Sequence, residues 1–230
     1  MPHSKQPLII FDLDGTLVDS APDLNACGNR ILEKYGHSSI TLERSKQFIG
    51  DGIRHFVKCT WFAAGHHLNE QQLSIIENEF LEHYKDHAAD LSTLYPGVYA
   101  VLDKLKRLGY RMGICTNKPQ LAAEQLVRTL RIQDMFDKIA GGDLYSVRKP
   151  NKLHLLNLLR DMNASTDVSV MIGDNEHDSQ TAHSSGVPFV FCSYGYSRLP
   201  LNKIIYDFKI DAFEELLELS IFRSKMLCGS

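Results

Sequence analysis

The chain has 230 residues, of which 43% are hydrophobic and 23% charged, as is typical of a globular protein with one large core and room for a small appended domain. Its net charge of −3 and dispersed lysines and arginines provide no basic surface, so we expect no nucleic-acid partner. No apolar stretch approaches the ~18 residues of a membrane span, and residues 1–7 are too short and polar for a signal peptide, so we expect no membrane association and a cytoplasmic location.

The first predicted element is a buried strand that ends in two acidic residues. The apolar run "PLIIFDLD" at residues 7–14 reaches Asp12 and Asp14 and is followed by Gly15. Glycine permits a sharp turn, which can bring both carboxylates toward the same space. These two aspartates are the first candidate functional residues.

Residues 18–92 interrupt the strand pattern and have helical character throughout. Four helices are predicted within residues 22–36, 41–50, 53–65 and 69–91, with Asn69 as the N-cap of the last. We therefore predict an inserted helical cap domain at residues 18–92 and a Rossmann-like catalytic core formed by residues 1–17 and 93–230. Because the insert leaves after the first strand and returns near residue 93, we expect it to lie over the end of that strand as a lid.

Strands and helices alternate after the insert. The strand-like runs are "RMGICTN" at 111–117, "KIAGGD" at 138–143, "SVMIGD" at 169–174 and "PFVFCS" at 188–193, and segments such as 97–109 and 122–132 have helical periodicity. This alternation predicts an α/β fold with a parallel sheet. The strands are continuously apolar, which predicts helices on both faces of the sheet.

Polar residues follow several strands, and the carboxyl ends of parallel strands meet at one edge of a sheet. Four carboxylates are expected to converge there, those of Asp12, Asp14, Asp174 and Asp178. At about 4 Å, each pair would repel by roughly 4 kcal/mol at an effective dielectric of 20, so the group requires a cation. An all-oxygen cluster favours a hard ion, and we predict Mg²⁺ together with a phosphorylated substrate.

The segments "DLDGT", "TNK", "KP" and "GDNEHD", in that order, resemble the four motifs of the haloacid dehalogenase superfamily of phosphotransferases. The resemblance covers nearly the whole chain. It implies that Asp12 is the nucleophile and Asp14 the general acid and base. The second aspartate favours the phosphatases and phosphomutases over the dehalogenase, phosphonate-cleaving and ion-pumping branches of the superfamily.

The same resemblance implies the remaining site residues. Thr116 and Lys149 would bind the transferring phosphoryl group, and Asn117 would shape the pocket. Mg²⁺ would be held by Asp12, the backbone carbonyl of Asp14 and Asp174, with Asp178 acting through a water or Lys149. We prefer Lys149 to its neighbour Arg148 because Pro150 follows it, as in the family.

A finer resemblance is to phosphoglycolate phosphatases, through "FIGDGI", "IAGGD" and "SYGYS". It suggests that Gly50 and Gly52 let the cap backbone approach a substrate and that Arg54 offers charge to a carboxylate, although the glycines also fit a plain turn between helices. Asp51 would repel an acidic substrate if it pointed inward.

Two segments depart from the family pattern. Asn175 stands where relatives commonly have Ser or Thr, and "KPNKLHLL" lacks the later prolines of those relatives.

The predicted function is Mg²⁺-dependent hydrolysis of a small phosphorylated metabolite through an aspartyl-phosphate intermediate, with phosphoglycolate as the first candidate substrate. The alternatives on the same core are a phosphosugar mutase, a pyrophosphatase and a 5′-nucleotidase. A non-catalytic binding domain is a further alternative, although no catalytic group is missing. The sequence leaves the oligomeric state open.

Overall fold

A computed structural model describes residues 6–222 of the chain. The strands are β1 (Leu8–Phe11), β2 (Val18–Asp19), β3 (Thr93–Leu94), β4 (Arg111–Cys115), β5 (Lys138–Ala140), β6 (Ser169–Gly173), β7 (Phe189–Cys192) and β8 (Phe208–Ile210). Six of them form a parallel sheet in the order β5-β4-β1-β6-β7-β8. Five of the six coincide with the predicted runs, and β8 is an additional strand at the edge.

The helices are α1 (Ala21–Lys34), α2 (Leu42–Lys46), α3 (Ile53–Ala63), α4 (Glu70–His87), α5 (Val98–Arg107), α6 (Gln120–Thr129), α7 (Lys152–Asp161) and α8 (Glu176–Ser184). Side chains of β1 alternate between the two faces of the sheet: Ile9 and Phe11 pack with α5 and α6, while Leu8 and Ile10 pack with α7 and α8. The predicted α/β class, with helices on both faces of a parallel sheet, is therefore confirmed.

Helices α1–α4 form a helical insert with a hydrophobic cluster of its own, built around Trp61, Phe80 and Tyr84. Each of the four predicted helices is present, and Asn69 caps α4 in a capping box with Gln72. The short antiparallel ribbon of β2 and β3 joins the insert to the sheet. The bounds of 18–92 for a separate cap domain stay a prediction.

The position of β1 in the sheet locates the candidate site. Phe11 pairs with Ile114 of β4 on one side and with Ile172 of β6 on the other. The residues that follow these strands therefore reach the same edge of the sheet. Strands β4 and β5 lie to one side of β1 and β6–β8 to the other, so this edge contains the topological switch point at which open α/β sheets bind ligands.

None of the helices between residues 6 and 222 is both long enough and apolar enough to cross a membrane.

Candidate active site

The loop after β1 places two aspartates in one pocket. Gly15 has a φ of 88°, and its N–H donates to the carbonyl of Val18 at 2.9 Å, which turns the chain sharply. Asp12 and Asp14 both line the pocket that lies beyond this turn. A β-carbon on residue 15 would lie 2.4 Å from Oδ2 of Asp174, so only glycine lets this loop pass so close to that carboxylate.

Lys149 connects two of the carboxylates. Its ammonium lies 2.7 Å from Oδ1 of Asp12 and 2.6 Å from Oδ1 of Asp178, and all three side chains are buried. Burial alone would lower the pKa of Lys149, but the charges of the two carboxylates raise it above its usual range. Lys149 is therefore a fixed positive charge at the base of the pocket. Arg148, by contrast, is exposed.

Asp174 completes a buried acidic cluster. Its carboxylate accepts hydrogen bonds from Oγ1 of Thr16 at 2.9 Å and from the backbone N–H of Tyr196 at 2.7 Å. One carboxylate oxygen from each of Asp12, Asp174 and Asp178 lies within 4.8 Å of the others. These three carboxylate oxygens are close enough together to bind one metal ion.

The three buried carboxyl groups of this cluster have one ammonium beside them, that of Lys149. Burial, followed by the charge of Asp178, raises the pKa of Asp12 to about 7. Burial and the neighbouring Asp12 and Asp178 also raise the pKa of Asp174 well above its usual range. Lys149 alone therefore does not balance the cluster, and a bound divalent cation would reverse both shifts. This imbalance, together with the oxygen-only donor set, fits a site for a hard cation.

The loop after β4 supplies three consecutive polar residues. Thr116 is buried and lines the pocket, and its hydroxyl accepts a hydrogen bond from the N–H of Lys118 at 3.2 Å. The Asn117 amide donates to the carbonyl of Gly50 at 2.8 Å and to that of Lys149 at 3.0 Å. Asn117 thus ties the helical insert to the segment that carries the buried lysine.

Lys118 was not predicted as a site residue. Its ammonium lines the pocket with a side chain only 1% exposed, 2.9 Å from Oδ1 of Asp14 and 2.6 Å from the hydroxyl of Tyr84. Burial would lower the pKa of Lys118, but Asp14 and Tyr84 raise it above its usual range. The sequence feature that could have identified Lys118 as a site residue is its position in the "TNK" motif.

The segment from Phe48 to Ile53 covers the pocket, with Gly50 and Gly52 among the lining residues. Gly52 has a φ of 82°, and a β-carbon there would lie 2.8 Å from a guanidinium nitrogen of Arg148. These glycines therefore let the insert pack closely against the core. The expected approach of their backbone to a substrate stays a prediction.

Asp51 points away from the pocket. Its carboxylate accepts hydrogen bonds from Nε2 of His177 and from Arg198, each at 2.6 Å. Burial alone would raise the pKa of Asp51, but these two hydrogen bonds hold it below its usual range. An acidic substrate in the pocket would therefore not face this carboxylate.

Arg54 does not reach the pocket in this conformation, and its expected contact with a substrate stays a prediction. Its guanidinium pairs with Glu70, at 2.6 Å, and with Glu77, on the outer side of the insert. Arg54 is the second residue of α3, and its side chain turns toward Glu70 and Glu77 of α4 rather than toward the sheet.

The two departures from the family pattern are accommodated locally. Asn175 is the N-cap of α8: its amide oxygen accepts from the N–H groups of His177 and Asp178, while the Asp178 carboxylate accepts from the N–H of Asn175. Asn151 likewise caps α7, accepting from the N–H of Leu153 at 3.0 Å. Asparagine thus supplies the capping oxygen that a Ser or Thr hydroxyl would supply.

The pocket is small and its outer wall is apolar. Its cavity volume is about 30 Å³, room for two or three water molecules. The lining residues are Asp12, Asp14, Leu24, Phe48, Ile49, Gly50, Gly52, Ile53, Phe56, Thr116, Asn117, Lys118 and Lys149. The charged and polar residues come from the sheet edge and the apolar ones from the insert, as in an enclosed site for a small polar ligand.

The structure places two aspartates, a buried lysine and an acidic cluster at the switch point of an α/β sheet, a set of groups suited to the hydrolysis of a phosphate ester. Residues 9–192 match the haloacid dehalogenase-like hydrolase family. The chain belongs to that family, as its motifs predicted.

Relatives and solved structures agree with this assignment. The chain is 33% identical over 213 residues to a phosphoglycolate phosphatase of Cereibacter sphaeroides, covering 93% of this chain and 97% of the relative. It is 35% identical over 210 residues to a phosphoglycolate phosphatase of Rhodobacter capsulatus, covering 91% and 94%. The crystal structure of a predicted phosphoglycolate phosphatase from Haemophilus somnus 129PT superposes with a TM-score of 0.85 at 28% identity, covering 94% and 98%. The predicted resemblance to phosphoglycolate phosphatases, and with it the assignment as a phosphoric monoester hydrolase, is confirmed.

Proposed function

We propose that this protein hydrolyses a small phosphomonoester, with phosphoglycolate as the first candidate, in a Mg²⁺-dependent reaction through an aspartyl-phosphate intermediate. The observation that carries the proposal is the placement of two aspartates with different partners on one turn, inside a small pocket. Asp12 faces Lys149 and the acidic cluster, whereas Asp14 faces Lys118 and Ser20. This separation suits a nucleophile and a proton donor, which must do different work on the same substrate.

The carboxylate of Asp12 would attack phosphorus and form an acyl phosphate as the P–O bond to the leaving group breaks. Asp14, in its protonated form, would give its proton to the departing alkoxide and would then accept one from the water that hydrolyses the acyl phosphate. Lys149 and the hydroxyl of Thr116 would hold the transferring phosphoryl oxygens. Asn117 would hold the insert over them through its bond to Gly50.

Asp12 and Asp174 are the residues that would bind Mg²⁺ directly, and Asp178 would act through Lys149, to which it is already bonded at 2.6 Å. When bound, Mg²⁺ supplies charge neutralisation for the phosphoryl group and the carboxylates. Thr16 and the backbone of Tyr196 hold the Asp174 carboxylate in place from behind. The backbone carbonyl of Asp14 would be the third protein ligand of the metal.

The wall of the pocket bears on the substrate class more than its volume does. The cavity of about 30 Å³, closed by Phe48, Ile53 and Phe56, is smaller than any of the candidate substrates, so the insert must move to admit each of them. The apolar outer wall offers no polar partners to the hydroxyls of a sugar or to a nucleobase, which disfavours a phosphosugar mutase and a 5′-nucleotidase. A small phosphorylated acid is therefore the first candidate.

The test is phosphate release by the purified chain from a panel of phosphoglycolate, a hexose phosphate, a nucleoside monophosphate and pyrophosphate. We expect phosphoglycolate to give the highest kcat/KM, with activity lost in EDTA, restored by Mg²⁺ and inhibited by Ca²⁺, whose longer bonds and higher coordination number disturb the geometry. An Asp12→Asn preparation made in the same way controls for contaminating phosphatases. Full activity in EDTA would contradict the requirement for Mg²⁺. A preference for the hexose phosphate would contradict the assignment of a small phosphorylated acid as the substrate.

A further inference from the structure

Lys118 is a buried cation that the proposed chemistry leaves without a task. The phosphoryl group has Lys149, Thr116 and the metal site, yet the pocket contains a second ammonium with a side chain only 1% exposed. Burying a lysine is costly unless it is paired, and such residues are rarely accidental in a cavity. Lys118 has contacts to Asp14 and Tyr84, which use two of its three N–H groups.

The position of Lys118 relative to Asp14 defines what it could bind. Asp14 would protonate the oxygen that leaves phosphorus, and the ammonium of Lys118 lies 2.9 Å from the Asp14 carboxylate. A group bonded one or two atoms beyond the leaving oxygen would therefore lie beside Lys118. The rest of that wall consists of apolar side chains of the insert, including Leu24, Ile53 and Phe56.

We infer that Lys118 binds a carboxylate carried by the substrate close to its leaving oxygen, and that it selects small phosphorylated acids over neutral phosphomonoesters. This inference rests on the proposed phosphatase function and names the recognition group within it. Among the residues that line the pocket, Lys118 and Lys149 are the cations, and Lys149 already lies between two carboxylates. Arg54, the cation expected from the sequence, faces the outer side of the insert instead.

Tyr84 is the residue that positions Lys118. Its hydroxyl accepts from the ammonium at 2.6 Å, and the ammonium also lies 4.8 Å from the centre of its ring. Tyr84 belongs to α4 of the insert and is fully buried, yet it does not line the pocket. The insert thus contributes to substrate selection from behind the pocket wall.

The test pairs two substrates of equal length, 2-phosphoglycolate and ethyl phosphate, which differ in the carboxylate. We expect Lys118→Met to lower kcat/KM for phosphoglycolate by about 10- to 100-fold more than for ethyl phosphate, since a hydrogen bond to a charged group is lost only with the first substrate. Any disturbance of Asp14 affects both substrates alike and cancels in the ratio. Equal losses for the two substrates would overturn the inference.

A second variant keeps the test informative if Lys118→Met fails to fold. Tyr84→Phe retains the lysine and removes the hydroxyl that orients it, so we expect KM for phosphoglycolate to rise several-fold more than KM for ethyl phosphate. A purely structural Tyr84 would change both substrates equally, which would contradict its role. Arg148→Met removes the exposed arginine beside Gly52 and is the matched control, and loss of the carboxylate preference in that variant would assign the recognition to Arg148.

The outcomes also separate this inference from the proposed function. A wild-type protein that hydrolyses both substrates with equal kcat/KM is a phosphatase without a carboxylate subsite, and only the inference fails. A wild-type protein that releases phosphate from neither substrate nor from p-nitrophenyl phosphate with Mg²⁺ refutes the phosphatase function itself.

Discussion

At the scale of single residues, the two aspartates of the first loop differ in what surrounds them. Asp12 is buried against Lys149 and the acidic cluster, whereas the Asp14 carboxylate accepts from the hydroxyl of Ser20 and from Lys118. Only Leu13 lies between them in the chain, yet each contacts a different lysine. Because the environment of a carboxyl group sets its role, we expect their asparagine variants to fail at different steps.

Asp14→Asn should retain the nucleophile and lose only the proton transfer. The acidic leaving group of p-nitrophenyl phosphate barely needs protonation, so Asp12 should still be phosphorylated while water attack on the acyl phosphate stalls. Rapid mixing should release about one equivalent of nitrophenol per active site before a slow phase, and mass spectrometry should find the phosphoryl group on Asp12. Asp12→Asn should show neither the nitrophenol burst nor the phosphoryl adduct.

A burst from Asp12→Asn but not from Asp14→Asn would reverse the two roles. The absence of an adduct in both variants would indicate direct attack by water.

The two neighbouring cations provide a second comparison at this scale. Lys149→Met removes the buried ammonium that contacts Asp12 and Asp178, and we expect kcat to fall at least ~100-fold, as for loss of one preorganised electrostatic group. Arg148→Met changes an exposed side chain and should alter kcat less than about threefold. Steady-state kinetics with p-nitrophenyl phosphate measures both. A larger effect at Arg148 would show that the lysine is not the phosphoryl ligand.

The sequence predicted the residues of the pocket floor better than those of its wall. Asp12, Thr116 and Asp174 follow strands, so the sheet itself brings them together. The role of Lys118 could not be predicted from the sequence. It depends on the direction of a side chain in the loop after β4 and on a contact with Tyr84, which lies 34 residues away along the chain. The ion pairs of Arg54 were not predicted for the same reason, because its acidic partners lie on α4.

At the scale of elements, the loop between α2 and α3 joins the insert to the core through polar contacts. Asp51 accepts from His177 and Arg198, and Arg198 also donates to Glu176 at 2.6 Å. These residues define a latch: Asp51 on the insert, and Glu176, His177 and Arg198 on the core. Since the pocket is closed by the insert in this conformation, substrate entry requires the latch to open.

Arg198→Leu should weaken the latch and favour the open insert. Its charged hydrogen bonds are partly buried, so we expect kcat/KM to fall about tenfold or more and the amides of residues 50–53 to exchange hydrogen faster. Hydrogen exchange by mass spectrometry measures the second effect directly. Arg160→Leu, which removes an exposed arginine of α7, is the matched control. Unchanged exchange in Arg198→Leu would show that other contacts hold the insert closed.

Element length explains part of what could be predicted. Four of the five predicted strands have four or five residues and three of the four helices of the insert have at least eleven, although β5 has three residues and α2 has five. Strand β8 also has three residues, β2 and β3 have two each, and none of these three was predicted. Their positions are set by pairing with neighbours, as β8 pairs with β7, and that information lies outside the segments themselves.

At the scale of the whole molecule, Tyr196 joins the insert, the sheet and the acidic cluster. Its backbone N–H donates to Asp174, its ring packs in the hydrophobic cluster of the insert, and its hydroxyl accepts from the N–H of Ala21 at 3.1 Å and donates to Asp19 at 2.5 Å. Movement of the insert is therefore connected to the position of a proposed metal ligand. The closed conformation and the completed site depend on the same residue.

The stability of the whole chain should depend on one buried histidine of the core. His154 on α7 is fully buried, its Nε2 lies 3.2 Å from the carbonyl of Gly141, and its Nδ1 has no partner among the described residues. Burial, and then the charge of Lys149, lowers the pKa of His154 from 6.5 to about 4. Between these values the unfolded chain binds the proton and the folded chain does not, so this group makes stability fall as the pH falls.

We therefore expect the free energy of unfolding of the wild type to lose about 2 kcal/mol through His154 between pH 7 and pH 4.5. His154→Gln cannot take up this proton. It should be less stable than the wild type at pH 7, because a buried contact is disturbed, and the difference between the two proteins should shrink by about 2 kcal/mol at pH 4.5. Urea unfolding at both pH values measures this, with His67→Gln, at an exposed position, as the matched control. A difference that stays constant with pH would mean that His154 takes up its proton in the folded chain as readily as in the unfolded one.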